Sequence, residues 1–346
     1  MISIPLFHPN LFVAFELLGF ISFAIIFFRE VLRRNSMRIF EILSCAVFGM
    51  ILEIGNTYIA HTYYYSDLFL AKVMNVPLAI GLWWVVIIYC SMLLSDQYNI
   101  PWRFRPAMDA LIAVIIDISI DVVAIRLGFW HWSIPLSQEW YGVPFENLVG
   151  WILVVLSFSY LIRFIRTLNH KRIFTKLIMI LSPLLSYISL LSGLIIFSLI
   201  TIFPYQVNNW TTFLKFNYKP DFNILYQPEV QLWKEIIFVI FLIELINVVI
   251  WVAVKYRKNY LKCFDAVSFS ILSLAHLFFI FALFYSGIYK EYPIFILIGL
   301  SSFLVHCFIH FAPYLSSFKS RSLKKAKEVI KEREKNVEKI INKSLR

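Results

Sequence analysis

Residues 74–95 read MNVPLAIGLWWVVIIYCSMLLS, an apolar run without a single charged side chain. A helix of about 20 apolar residues crosses the hydrocarbon core of a bilayer. The run is continuous rather than alternating, which excludes a strand of a closed β-barrel. The whole chain shares this character, since 60% of its 346 residues are hydrophobic and only 15% are charged. This composition excludes soluble enzymes, secreted disulfide scaffolds and disordered proteins, and it predicts a polytopic membrane protein.

Outward from this run, the sequence predicts an all-α transmembrane bundle of about nine spans. Their approximate bounds are 11–28, 39–60, 74–95, 107–127, 147–167, 174–203, 234–254, 265–288 and 293–316. The sixth span is long enough to tilt, or to break near Pro183.

Lys and Arg alternate between the two sides of these spans. They are concentrated in the loops after spans one, three, five and seven and in the tail at 319–346. The positive-inside rule then places the N-terminus outside and the C-terminus in the cytoplasm of a multi-pass protein of the cell membrane. The same distribution accounts for the net charge of +11 and indicates no nucleic-acid partner.

We divide the chain into a transmembrane helical domain, 1–318, and a basic amphipathic cytoplasmic tail, 319–346. Apolar residues recur near helical spacing among the Lys and Glu of the tail, at Val329, Ile330, Val337, Ile340 and Ile341. This pattern is typical of a helix that binds an anionic leaflet or a protein partner. A solvated helix that keeps the terminus soluble is the alternative.

Ionisable residues inside membrane spans are costly and therefore mark candidate functional sites. Glu53 is predicted near the outer end of span two, and Asp117 and Asp121 share one face of span four. With Asn147 at the start of span five, they can meet in the outer half of the bundle. Three carboxyl groups in one low-dielectric cavity cannot all be ionised, so a protonated acid is expected beside a carboxylate. Pairing with Arg126, helix capping or a transport path are the alternatives.

Aromatic residues accompany these acids in two runs of sequence. The first run contains Glu53-Ile-Gly55, Tyr63-Tyr64-Tyr65, Val76-Pro77-Leu78, Trp83-Trp84 and Tyr89. The second contains Asp117-Ile-Ser-Ile-Asp121-Val-Val-Ala124, Gly128-Phe-Trp130-His-Trp132, Tyr141-Gly-Val-Pro-Phe-Glu-Asn147 and Gly150-Trp151. Over roughly residues 50–165 the chain resembles the integral-membrane carotenoid biosynthesis family, which includes the carotenoid 1,2-hydratases and bisanhydrobacterioruberin hydratase. A belt of Trp and Tyr at the membrane interface is the alternative explanation of the aromatic residues.

The chain departs from the pattern of this family at three places. Asp121-Val-Val-Ala124 stands where the resemblance leads us to expect Asp-Pro-Val-Ala. Asn56-Thr-Tyr-Ile-Ala-His61 replaces a Gly-rich stretch that contains Phe, and Glu146 is an additional acid within the Gly-Val-Pro motif.

The resemblance implies a hydratase that adds water to a terminal C=C of a carotenoid or related isoprenoid, without a cofactor or metal. The long apolar substrate is expected to enter from the bilayer, among membrane lipids. Asp121 or Glu53 is expected to donate the proton, with Asp117 as its partner or as a water-orienting base. The residues expected to bind the substrate or the water are Tyr63, Tyr65, Trp84, Trp130, Trp132, Tyr141, Asn147 and Trp151.

Other functions stay open from the sequence. They are a cofactor-free isoprenoid cyclase or isomerase, a transporter or flippase that uses the acids as a proton relay, and a non-catalytic subunit docked through its tail. The sequence shows no inverted repeat of the kind that many transporters have. His306 and His310 on span nine, with His276 on span eight, are either metal or haem ligands or hydrogen-bonded histidines of the bundle.

Overall fold

The computed structural model describes residues 8–98, 100–133, 140–168, 173–206, 228–256 and 264–312. Within these ranges the chain forms nine long α-helices, four short strands and a single helical turn, Ile288–Glu291. The predicted all-α class is therefore confirmed. The tail at 319–346, with its predicted amphipathic helix, lies outside the described residues.

The helices are α1 (Pro9–Leu32), α2 (Ser36–Ile54), α3 (Leu78–Asp96), α4 (Arg105–Ala124), α5 (Phe145–Thr167), α6 (Ile173–Gln206), α7 (Pro228–Tyr256), α8 (Ala266–Tyr285) and α9 (Ile294–Ala312). Seven of them, all except α2 and α4, are long and apolar enough to cross a membrane. The protein is therefore a multi-pass membrane protein. That α2 and α4 also cross the membrane stays a prediction. These two helices are less apolar because they carry most of the buried acids. Of the two expectations for the sixth span, the break is absent, since α6 continues through Pro183.

Helix α3 is the centre of the bundle and packs against α1, α2, α4 and α8. It is apolar on every side, as a helix surrounded by other helices must be. In the most apolar stretch of α3, 89% of the residues are buried. In the same kind of stretch, only 17% are buried in α6 and 11% in α7. Since their exposed side chains are large and apolar, α6 and α7 present these surfaces to lipid.

Two short antiparallel ladders cover one end of the bundle. Strand β1 (Tyr63–Tyr65) follows α2 after a π-helical turn at Gly55–Ile59, and it pairs with β4 (Trp130–Trp132), which follows α4. The ladder joins the two aromatic runs directly, with Tyr63 opposite Trp132 and Tyr65 opposite Trp130. The second ladder pairs β2 (Lys72–Val73) with β3 (Val76–Pro77) and leads into α3.

The opposite end of the bundle contains a set of ion pairs that we call the arginine network. Its acids are Glu41, Asp96 and Asp109, and its cations are Arg38, Arg105, Arg163 and Arg166. The network joins the ends of α2, α3, α4 and α5.

Arg163 is the most enclosed member of the arginine network, with a side chain only 1% exposed. Its Nη1 donates to Asp96 Oδ1 at 2.5 Å and its Nη2 donates to Asp109 Oδ2 at 2.9 Å. Ser95 Oγ accepts a further hydrogen bond from Nη2 at 2.7 Å. A buried guanidinium requires such partners for its donors, and Arg163 thereby fixes α5 to α3 and α4.

Candidate active site

A cavity of about 220 Å³ lies at the end of the bundle covered by the strands. Nine of the residues expected from the sequence line it: Glu53, Tyr63, Tyr65, Trp84, Asp121, Trp130, Trp132, Asn147 and Trp151. The remainder of the wall is mainly apolar, and α1, α6 and α8 contribute to it beside α2 to α5. Among the described lining residues there is neither a lysine nor an arginine.

Glu53 lies in the last turn of α2 and is buried. Its Oε2 accepts hydrogen bonds from Tyr63 OH at 2.6 Å and Tyr65 OH at 2.5 Å. Its Oε1 accepts a hydrogen bond from Trp84 Nε1 at 2.6 Å. An indole N–H can only donate, so Oε1 is an acceptor in any protonation state. The side chain is thereby held in one orientation at the cavity wall.

The ladder explains why Tyr63 and Tyr65 both reach Glu53. Successive side chains of a strand point to opposite faces, so the outer residues of each strand face the cavity while Tyr64 and His131 face away. Tyr64 and His131 stack on each other at a centroid distance of 5.2 Å. Burial and the Glu53 charge raise the pKa of Tyr63 and of Tyr65 well above the usual value, so both phenols stay protonated donors at neutral pH.

Asp117 and Asp121 lie one turn apart on α4 and are buried. Asn147, in the first turn of α5, donates from Nδ2 to Asp121 Oδ2 at 2.6 Å and approaches the Asp117 carboxyl oxygens at 3.3 and 3.4 Å. The two carboxyl groups therefore share one amide donor. Asp121 lines the cavity and Asp117 does not, so Asp117 lies behind the residue that faces a ligand.

Aromatic rings form much of the cavity wall. Trp84 of α3 and Trp151 of α5 contact each other with ring centroids 4.5 Å apart, and the faces of such rings attract cations. Trp132 contacts Tyr63 at 5.1 Å across the ladder. The cavity therefore combines buried carboxyl groups with apolar and aromatic surfaces.

Tyr141, which the resemblance places in the pocket, does not line the cavity. It lies in a tight turn with Gly142, where φ is +47° and +88°, between the bridged residues Trp140 and Val143. Two consecutive positive φ values are typical of a type I′ turn. The Tyr141 ring packs against Phe295 at 5.3 Å, so the structure gives this part of the motif a role in shaping the loop before α5.

Several cavity residues were not expected from the sequence. Asn56, in the π-helical turn, donates from Nδ2 to Tyr63 OH at 3.2 Å, which leaves the single phenolic hydrogen of Tyr63 for Glu53. Glu146, noted only as an extra acid, lines the cavity and pairs with buried Lys234 of α7 at 2.7 Å. A signal for Asn56 existed, since it lies three residues after Glu53, whereas nothing in the sequence connects Lys234 with Glu146.

His276, His306 and His310 lie together between α8 and α9, and none of the three lines the cavity. The rings of His306 and His310 have centroids 4.4 Å apart, and His276 lies 5.2 Å from His306. Ser273 Oγ lies 3.3 Å from His306 Nε2. Within the described ranges no group of three His, Cys, Asp or Glu side chains is arranged to hold a metal ion.

Comparison with known protein families gives one match. The model of a family described as carotenoid biosynthesis protein matches residues 11–210, more than half of the chain. The chain belongs to this family. The match confirms the resemblance found in residues 50–165 and extends it to α1 and the whole of α6. No curated protein and no solved structure shows a significant match.

Membership of the family gives the protein a role in carotenoid biosynthesis. The matched residues include α1 to α5 and both strands of the aromatic ladder, and thus all the acids that border the cavity. Carotenoids are long apolar polyenes, and the wall of the cavity is correspondingly apolar and aromatic.

Proposed function

We propose that the protein is a hydratase that adds water to a terminal C=C of a carotenoid or related isoprenoid. The observation that carries the proposal is the position of two buried acids, Glu53 and Asp121, at one aromatic cavity. The groups that donate hydrogen bonds to these two acids are neutral. Among the described residues, neither acid forms an ion pair. Hydration needs an acid to protonate the alkene and a base to take a proton from water.

Asp121 is the proton donor in this mechanism. Two buried carboxyl groups that share one amide donor cannot both be ionised, so one of them carries a proton, and Asp121 is the member of the pair that faces the cavity. Its proton adds to the less substituted alkene carbon, and the π electrons form the new C–H bond. Asn147 stabilises the resulting Asp121 carboxylate through the hydrogen bond that its Nδ2 donates.

The positive charge then lies on the tertiary carbon of the substrate. The faces of Trp84, Trp151, Trp130 and Trp132 stabilise this cation through cation–π attraction. The apolar remainder of the wall limits the access of water, so that the cation is not quenched from arbitrary directions.

Glu53 is the base that directs the water. Three donors, Tyr63, Tyr65 and Trp84, surround its carboxylate and fix its direction. A water molecule between Glu53 and the cation forms the C–O bond and gives its proton to Glu53. That proton returns through the cavity to Asp121, so each cycle adds one H and one OH and transfers no electrons. The reaction therefore requires no redox cofactor.

The orientation predicted from Lys and Arg, with the N-terminus outside, places the cavity in the outer half of the cell membrane. Leu190 and Leu194 of lipid-facing α6 line the cavity, which fits a polyene that enters between helices from the bilayer. The basic tail then lies in the cytoplasm, where anionic lipids or a protein partner can bind it.

The decisive experiment is mass spectrometry of the pigments from a lycopene-producing host that expresses the chain. The wild-type protein is expected to yield a product heavier by one water. Glu53→Gln and Asp121→Asn are expected to lower product formation roughly 10²- to 10⁴-fold, the usual contribution of general acid–base catalysis. Asp67→Asn is the matched control, because Asp67 is exposed in the neighbouring loop and pairs only with Lys72 among the described residues.

Each other outcome contradicts hydration. A new pigment of unchanged mass that depends on Asp121 indicates an isomerase or cyclase, which shares the protonation step but loses a proton in place of gaining water. Unchanged pigments with folded, inserted protein reject hydration of lycopene and favour transport of an isoprenoid.

A further inference from the structure

Gly150 lies near the start of α5, on the helix face that borders the cavity. Asn147, one turn earlier, and Val154, one turn later, line the same cavity, as does the adjacent Trp151. Glycine weakens a helix interior relative to alanine, so a glycine at this point needs a local explanation.

Packing supplies that explanation for the other glycines in the described helices, but not for Gly150. An added methyl group would lie within 3.2 Å of a neighbouring side chain at Gly19, Gly49, Gly55, Gly81, Gly193 and Gly299. The same group at Gly150 would meet no atom within 4 Å. The space beside Gly150 is thus free of protein, and Gly150 itself is one of the residues that line the cavity.

We propose that Gly150 determines the specificity of the site, because the terminal group of the substrate lies against the bare backbone of α5 there. This inference rests on the proposed function and names the position that selects among its substrates. The amide of Asn147, one turn away, holds Asp121 at 2.6 Å. A branched end group placed over Gly150 therefore lies beside the acid, and any side chain at position 150 occupies the volume that this group needs.

The test is a size series, Gly150→Ala and Gly150→Leu, with two measurements on purified protein. Polyene binding is followed by quenching of tryptophan fluorescence with lycopene, and hydration by mass spectrometry. One methyl group in an apolar pocket changes discrimination about 10- to 200-fold. Gly150→Ala is therefore expected to lower kcat/KM for lycopene at least about tenfold, mainly through KM, and Gly150→Leu to abolish quenching and turnover.

Stability separates this role from a structural one. Because no atom opposes the added methyl group and alanine favours the helix, Gly150→Ala is expected to keep or raise the Tm. Gly299→Ala on α9 is the control, since Gly299 lies outside the cavity lining and an added methyl group there would lie 3.2 Å from Cγ1 of the flexible Ile280 side chain. It is expected to leave quenching and turnover at wild-type values.

The outcomes distinguish the two proposals. If wild-type protein is quenched by lycopene but makes no hydrated product, and Gly150→Leu removes the quenching, hydration is wrong and the role of Gly150 stands. If folded Gly150→Leu binds and hydrates lycopene like the wild type, the role of Gly150 is wrong and hydration stands. A wild-type protein that lycopene does not quench, or a Gly150→Ala protein with a lowered Tm, also overturns the role of Gly150.

Discussion

Buried acids lie at both ends of the helix bundle, and the two sets differ in what surrounds them. In the arginine network every acid pairs with at least one guanidinium. At the other end Glu53, Asp117 and Asp121, which we call the cavity acids, accept the described hydrogen bonds from neutral phenol, indole and amide groups. The network encloses its acids, whereas two of the three cavity acids border open space.

The difference shows how one residue type serves two purposes in a membrane bundle. A guanidinium beside a carboxylate holds it ionised and ties together the helices that carry the two groups. Neutral donors position a carboxyl group without fixing its charge, and the cavity gives a substrate access to it. This contrast supports the proposal that the arginine network stabilises the fold and that the cavity acids carry the chemistry.

The largest effect on stability is expected from Arg163→Met. The change leaves the buried Asp109 carboxylate without its described ion-pair partner, and breaking a buried ion pair typically costs about 3–5 kcal/mol. Thermal unfolding in detergent measures the loss. Asp121→Asn, which leaves no cation unpaired, is expected to keep a Tm close to that of the wild type. Equal losses in the two variants would remove the distinction between the two ends.

A smaller effect is expected from alkaline pH and concerns the phenols that hold Glu53. The raised pKa values of Tyr63 and Tyr65 mean that the unfolded chain, with phenols near pKa 10, releases these protons first. The two phenols therefore make their full contribution to the free energy of unfolding below about pH 10. Above this pH the free energy of unfolding declines, by up to about 1.4 kcal/mol per pH unit for each phenol.

Denaturant titrations below and above about pH 10 test whether the free energy of unfolding falls as the pH rises. Tyr65→Phe should make the decline less steep, because one of the two phenols no longer titrates. Tyr64→Phe is the matched control, since Tyr64 is 59% exposed and lies between the two on the same strand. A decline of unchanged slope in Tyr65→Phe would assign the alkaline loss to other groups.

Much of the fold followed from short-range patterns. Continuous apolar runs predicted the helices, and the four-residue spacing of Asp117 and Asp121 placed both on one face of α4. The two aromatic runs predicted a shared site, and the structure joins them through the β1–β4 ladder.

The contacts that were missed depend on distances across the fold. In the sequence, the arginines near Asp96 indicate only the topology, because sequence alone does not show which helix ends meet. Lys234 pairs with Glu146 from a helix far along the chain. The family motif predicts Tyr141 in the pocket, whereas its ring packs against Phe295 from a turn with positive φ at Tyr141 and Gly142.

The smallest effect is expected on the outward face of the ladder, which touches neither set of acids. Tyr64 stacks on His131, and such cross-strand pairs contribute about 0.2–1 kcal/mol. Tyr64→Ala is therefore expected to lower stability by this amount and to leave carotenoid turnover unchanged, while Tyr65→Phe reduces turnover by removing a donor to Glu53. Parallel assays of both variants separate two roles of the strand. If Tyr64→Ala reduced turnover as strongly as Tyr65→Phe, the integrity of the ladder rather than the hydrogen bond to Glu53 would explain the importance of Tyr65.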